Sequence, residues 1–151
     1  MTAEPLTAGT YGYHDLQVGD VMKTGSAEIT ADLITAFAEL TGDKYTLHLD
    51  DDVARKLGYK ARVAHGLLVL SVVDGLKFQS DARPDGLASL GWDWRFEQPV
   101  FAGDTIRAEL NVVSKRETSS GRRGIVAFRF DVFNQEGQRV QQGTNELIFD
   151  L

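Results

Sequence analysis

The 151-residue chain contains no cysteine, only three prolines and only two methionines. Without thiols there can be no disulfide framework, thiolate nucleophile, or cysteine-based zinc or iron–sulfur site, so folding must rest on packing alone. Basic residues are also in short supply. Sixteen Lys and Arg face 22 Asp and Glu, leaving a net charge of -6 and a pI near 5.0. That balance argues against a general nucleic-acid or anionic-membrane surface, because both need a basic face, although a local basic patch can still hold a phosphorylated ligand. No run approaches the roughly 18 apolar residues of a membrane span, and the N-terminal stretch MTAEPLTAGTYGYHDL lacks a basic start followed by an apolar core. These absences point to a soluble protein of a reducing compartment, by default the cytoplasm. The 42% hydrophobic composition is enough for one packed core, and a single domain over 1–151 is expected.

Residues 1–13 mix Gly, Thr and Pro without periodicity and read as a loose arm. DVMKTGSAEIT alternates in part and reads as a strand. Thr30 offers an N-cap hydroxyl, Asp32 suits the positive end of the helix dipole, and Leu33, Ile34, Phe37, Leu40 and Thr41 recur at helical spacing before Gly42, which predicts a helix over Ala31–Thr41. DDVARKLGY suggests one or two further turns stopped at Gly58. The run Val63–Phe78 is apolar nearly all round, so its length favours a buried helix and its valines a buried strand. Beyond Pro84 and Gly86 the texture changes to period two. Leu90, Trp92, Trp94 and Phe96 form one such face, Ile106, Ala108, Leu110 and Val112 a second, and Val126, Phe128, Phe130 and Val132 a third. QRVQQGTNELIF follows the pattern more weakly. Helices first and an antiparallel meander afterwards indicate an α+β domain, one sheet face wrapped around the apolar run.

The stretch LTGDKYTLHLDDD carries Asp43 and His48 just past the helix-ending Gly42. A neutral imidazole exchanges protons near neutral pH and a carboxylate accepts hydrogen bonds, so five residues of irregular chain can bring both tips to one water. The plainer alternative is a solvated turn, with Asp43 capping it and His48 on a loop. His65-Gly66 opens the apolar run; if the run is a helix, Gly66 sits in its first turn with an outward N–H able to hold an oxyanion and room for a ligand to approach. Against this, His65 can be a satisfied half-buried residue and Gly66 a packing residue. HLDDD lacks the central glycine of a calcium loop, and His14, His48 and His65 are not at a recognised zinc spacing, so no metal is expected. Trp92 and Trp94 share a strand face and read as core.

YHDLQVGD, ITADLITAFAELTGD, LHLD, VAHGLLVLS and FEQPVFAGDTI occur in an order that resembles the MaoC-like dehydratases, also called the R-specific enoyl-CoA hydratase family, over nearly the whole chain. The resemblance implies a hot-dog fold, an antiparallel sheet wrapped around a long central helix, and so a helix at Val63–Phe78. It implies a homodimer joined sheet edge to sheet edge, which hides an otherwise exposed strand. It places the catalytic pair on Asp43 and His48 and the oxyanion-holding backbone N–H on Gly66; Tyr45, His65, Lys44 and Arg62 are candidates for substrate contacts. Arg95, Lys115 and Arg122 are further candidates for coenzyme A phosphates. The implied reaction is reversible hydration of the 2,3 double bond of an enoyl thioester, giving an (R)-3-hydroxyacyl product. Acyl-CoA or an acyl-carrier-protein thioester would be the partner, and no metal or redox cofactor would be needed, coenzyme A being the substrate's own handle. One departure stands out. Relatives often read Gly-Asp-x-Asn-Pro-Leu/Ile-His, whereas this chain has Tyr45 and Thr46 in place of Asn and Pro, which removes an amide and frees the backbone. A hot-dog thioesterase and a non-catalytic acyl-thioester-binding partner subunit are the alternatives.

Overall fold

The computed structural model describes residues 3–151. In chain order the elements are β1 (Gly9–Tyr11), β2 (Val21–Glu28), α1 (Ala31–Thr41), α2 (Thr46–Leu49), α3 (Asp51–Lys56), α4 (Gly66–Gln79), β3 (Ala82–Pro84), β4 (Ala88–Phe96), β5 (Thr105–Glu117), β6 (Arg123–Phe133) and β7 (Arg139–Asp150). Five strands form one antiparallel sheet in the order β2-β5-β6-β7-β4.

Period-two patterning builds the sheet's inner face. Leu110 lies opposite Phe130, Val112 opposite Phe128 and Ala108 opposite Val132, and all six are buried. Against this face lies α4, contributing Leu68, Val69 and Val73 to the same cluster. A buried apolar run of this length satisfies its own backbone as a helix, whereas a strand there would need neighbours on both sides. Trp92 and Trp94 of β4 pack on Phe130 with ring centroids 5.3 and 5.8 Å away, as the core reading of their shared face expects.

Three expectations need correction. Strands β5, β6 and β7 form a meander, but β4 pairs with β7 rather than with β5, which follows it in sequence. The approach is close: a Cβ on Gly143 would lie 2.1 Å from the Asp93 carbonyl oxygen and 2.6 Å from the Trp94 ring, so only glycine lets β7 meet β4 there. The arm expected to be loose is tied down within its described part. Leu6 N–H donates to Val21 O at 2.8 Å, Gly9 N–H to Asp81 O at 2.9 Å, and β1 runs parallel to β3; Met1 and Thr2 lie outside the described residues. Finally, the segment after α1 is not wholly irregular, because Thr46–Leu49 forms a helical turn that carries His48.

Candidate active site

Helix α1 ends as its sequence dictates. Thr30 Oγ1 caps it by accepting the Leu33 N–H, and Gly42, at φ 79°, closes it with an N–H to Ala38 O. A left-handed residue at this position turns the chain sharply, and Asp43 follows with its N–H donating to Thr41 Oγ1 at 3.2 Å. Asp43 Oδ1 accepts the Tyr45 N–H at 3.4 Å, a weak turn contact that leaves most of its acceptor capacity free. Its side chain is exposed.

His48 projects from α2 back toward the start of α4. Its Nδ1 lies 2.6 Å from Val63 O. A carbonyl can only accept, so in the neutral ring Nδ1 carries the proton and Nε2 keeps its lone pair. The same argument applies to His65, whose Nε2 lies 2.9 Å from Asp43 O: Nε2 donates, and this bond ties the Asp43 backbone to the first turn of α4. His65 is buried at 3% exposure, and its Nδ1 has no hydrogen-bond partner among the described residues. The two imidazoles stack, centroids 3.8 Å apart and planes 24° from parallel. A ligating atom from each of Asp43, His48 and His65 lies within 4.8 Å of the others. One water making two hydrogen bonds of about 2.8 Å spans such a gap. Zinc fits poorly, because imidazole ligands need in-plane lone pairs converging at about 2.0–2.1 Å, whereas these rings lie face to face.

Gly66 is the first residue of α4, where no intrahelical acceptor exists for its N–H. Its Cα face is covered by a phenyl ring: a Cβ there would lie 2.4 Å from Phe96. Around these groups Phe37, Leu67 and Phe96 wall a cavity of about 260 Å³ that also exposes Asp43, His48 and Gly66. A second space of about 330 Å³ adjoins it beyond Gly66 and Phe96, lined by Val63, Ala64, Val69 and Val100 among others.

The structure therefore brings together Asp43, His48, His65 and Gly66, and leaves the other candidates aside. Tyr45 is 58% exposed, turns its ring edge toward His48 and lines neither cavity. Lys44 pairs with Glu39 at 3.1 Å on the surface. Arg62 faces Asp51, which accepts its backbone N–H at 2.9 Å. Lys115 donates to Leu16 O and covers the Tyr13 ring, and neither Arg95 nor Arg122 lines the two cavities. Surface cations were named from charge alone, which carries no information about where the chain places them. His65, a substrate-contact candidate, lines the smaller cavity and spends its donor on Asp43 O. Sequence reasoning missed Phe37, Phe96 and Gln141. For Gln141 a signal existed: it is a polar residue in phase with the core positions of β7, which is also why that strand's alternation reads weakly.

An antiparallel sheet folded around a central helix, with an aspartate and two histidines at the helix's open end, defines a hot-dog protein with a polar site at the mouth of its core. The chain belongs to the MaoC-like dehydratase family, and the model of the MaoC like domain matches residues 15–130. It is 32% identical over 125 residues to a mitochondrial 3-hydroxyacyl-[acyl-carrier-protein] dehydratase of Arabidopsis thaliana, covering 83% of this chain and 72% of that protein. To the (R)-specific enoyl-CoA hydratase of Aeromonas caviae it is 35% identical, covering 68% and 75%. Among solved structures, a MaoC-like dehydratase from Rhodospirillum rubrum superposes with a TM-score of 0.85 at 27% identity, covering 93% of this chain and 97% of the other. Two longer curated relatives are matched over only 28% and 31% of their own length.

Proposed function

We propose that this protein adds water reversibly across the 2,3 double bond of an enoyl thioester, enoyl-CoA or its acyl-carrier-protein counterpart, giving the (R)-3-hydroxyacyl thioester. The observation that carries this reading is the Asp43–His48 pair at one-water spacing beside the open N–H of Gly66. Asp43 accepts one hydrogen of the water. His48, its Nδ1–H fixed on Val63 O, presents Nε2 as the second acceptor. As the water oxygen bonds to the β-carbon, the pair takes one proton and the double-bond electrons move toward the thioester oxygen. Gly66 N–H, at the positive end of α4, holds the negative charge gathering there. Return of a proton to the α-carbon completes the addition, and dehydration runs the same steps backward.

Nothing in these steps calls for a metal or redox cofactor. The apolar walls from Phe37 to Val100 suit an acyl chain. Asp43 and His48, rather than the displaced lysines and arginines, distinguish this reading from a thioesterase or a silent binding subunit. The outer edge of β4 has no partner strand among the described residues, and Leu90 and Phe96 on it are exposed. A second copy pairing along that edge supports a homodimer. No helix among the described residues is long and apolar enough to cross a membrane.

The test is turnover. Purified protein should bleach the conjugated absorbance of a trans-2-enoyl-CoA without releasing free thiol. Thiol release would favour the thioesterase, and binding without either signal would favour the silent subunit.

A further inference from the structure

Helix α4 starts without the usual support. Its N-cap residue, His65, makes no side-chain capping bond, because its imidazole is turned to Asp43 O. Uncapped first turns fray, yet the oxyanion role proposed for Gly66 needs an N–H held in one direction before substrate arrives. The His65 carbonyl does accept the Leu68 and Val69 N–H groups, and a polar chain from the sheet adds a second restraint on this turn. Trp94 Nε1–H donates to Gln141 Oε1 at 2.8 Å, and Gln141 Nε2–H donates to Gly66 O at 3.2 Å. Gln141 is 2% exposed and lies directly across from Phe96 in the β4–β7 pairing.

The order of this chain is chemically fixed. An indole nitrogen can only donate, so Trp94 locks the Gln141 carboxamide with its oxygen toward β4 and its NH₂ toward the helix. The Gly66 carbonyl is thus gripped from the sheet while the Phe96 ring closes over its Cα. Without the indole the carboxamide is free to flip, which would set oxygen against oxygen at Gly66. We infer that Gln141 is a positioning residue for the hydration step, holding the first turn of α4 through the Gly66 carbonyl with its own orientation set by Trp94. It acts through Gly66, its side chain also lining the larger of the two cavities, and the inference rests on the hydration reading.

The experiment compares wild type with Gln141→Leu, Trp94→Phe and the double variant. Gln141→Leu should lower kcat about tenfold, less than the roughly 10²- to 10³-fold cost of losing an oxyanion donor itself, with KM little changed because thioester binding survives. Trp94→Phe keeps an aromatic ring against Phe130, guards against a misfolded Gln141→Leu, and should show a smaller kcat loss. The double variant should be no worse than Gln141→Leu alone, since the two residues act in series. Infrared difference spectra of carbonyl-labelled butyryl-CoA, which cannot be hydrated, add a direct readout. The bound thioester carbonyl should shift to lower wavenumber in wild type and less so in both single variants. Unchanged kcat and an unchanged carbonyl shift in folded Gln141→Leu or Trp94→Phe would overturn the inference alone. A wild type that hydrates no enoyl thioester would overturn the parent reading and this one with it.

Discussion

The two ends of α4 are both polar, and they are built in opposite ways. At its start, Asp43 is exposed, and among the described residues one nitrogen of His48 is uncommitted and the first helical N–H has no acceptor. Toward its end Lys77 is 1% exposed and fully engaged: Nζ lies 2.7 Å from Asp74 Oδ1, 3.3 Å from Asn145 Oδ1, and over the rings of Phe78 and Trp92. Asn145 in turn donates to Ser89 Oγ at 2.6 Å and to Gly91 O at 2.9 Å. Strand β7 serves both ends from one face, with Gln141 reaching Gly66 and Asn145 reaching Lys77. Polar groups engaged with one another, here through an ion pair and hydrogen bonds, hold the core together. Chemistry becomes possible at the end where hydrogen-bonding capacity is left over.

The largest effect should come from breaking the open end. Asp43→Asn or His48→Ala should each cost on the order of 10²- to 10⁴-fold in hydration rate while the far-ultraviolet circular dichroism stays native. Full activity in either variant would remove the site from the mechanism.

Next comes the closed end. Lys77→Ala should lower unfolding free energy by about 2–4 kcal/mol in urea titrations, from the cavity and the disrupted network. Lys77→Met keeps the volume and should cost less than about 1.5 kcal/mol or stabilise. This pair also gives a pH test. Burial holds Lys77 below the ordinary lysine range, and Asp74 offsets only part of that. Between its folded value and the unfolded value of about 10.4 the unfolded chain carries more protons, so wild-type stability rises with pH through that window. Lys77→Met lacks this contribution, so wild type should gain on the variant as pH rises toward the unfolded value. A flat difference would mean that Lys77 keeps its usual proton affinity. The smallest effect falls on the helix that leads into Asp43. Thr30→Ala removes the α1 cap and should cost about 1 kcal/mol, read as a modest drop in Tm.

Much of this was legible in local signals. The Thr30 cap and Gly42 stop marked both bounds of α1, and strict alternation marked the core faces of β5 and β6, because those signals act over neighbouring residues. Residues Val63–Phe78 stayed ambiguous until the family resemblance chose helix, since an all-round apolar run has no phase to read. The turn holding His48 escaped notice because four residues leave no period. The cation candidates failed for want of any spatial information, and Gln141 passed as a lapse in β7's pattern when it was a contact with α4.

By itself the sequence determined the bounds of α1, the inward faces of the long strands and the short separation along the chain between Asp43 and His48, all properties of residues a few positions apart. Only the tertiary structure decided which nitrogen of His48 holds its proton, because Val63 O arrives from 15 residues away. It likewise decided that His65 braces Asp43 across 22 residues and that Gln141 grips Gly66 across 75. Hydrogen-bond partners that far apart are chosen by the packing of sheet on helix, and short-range patterns contain no record of that choice.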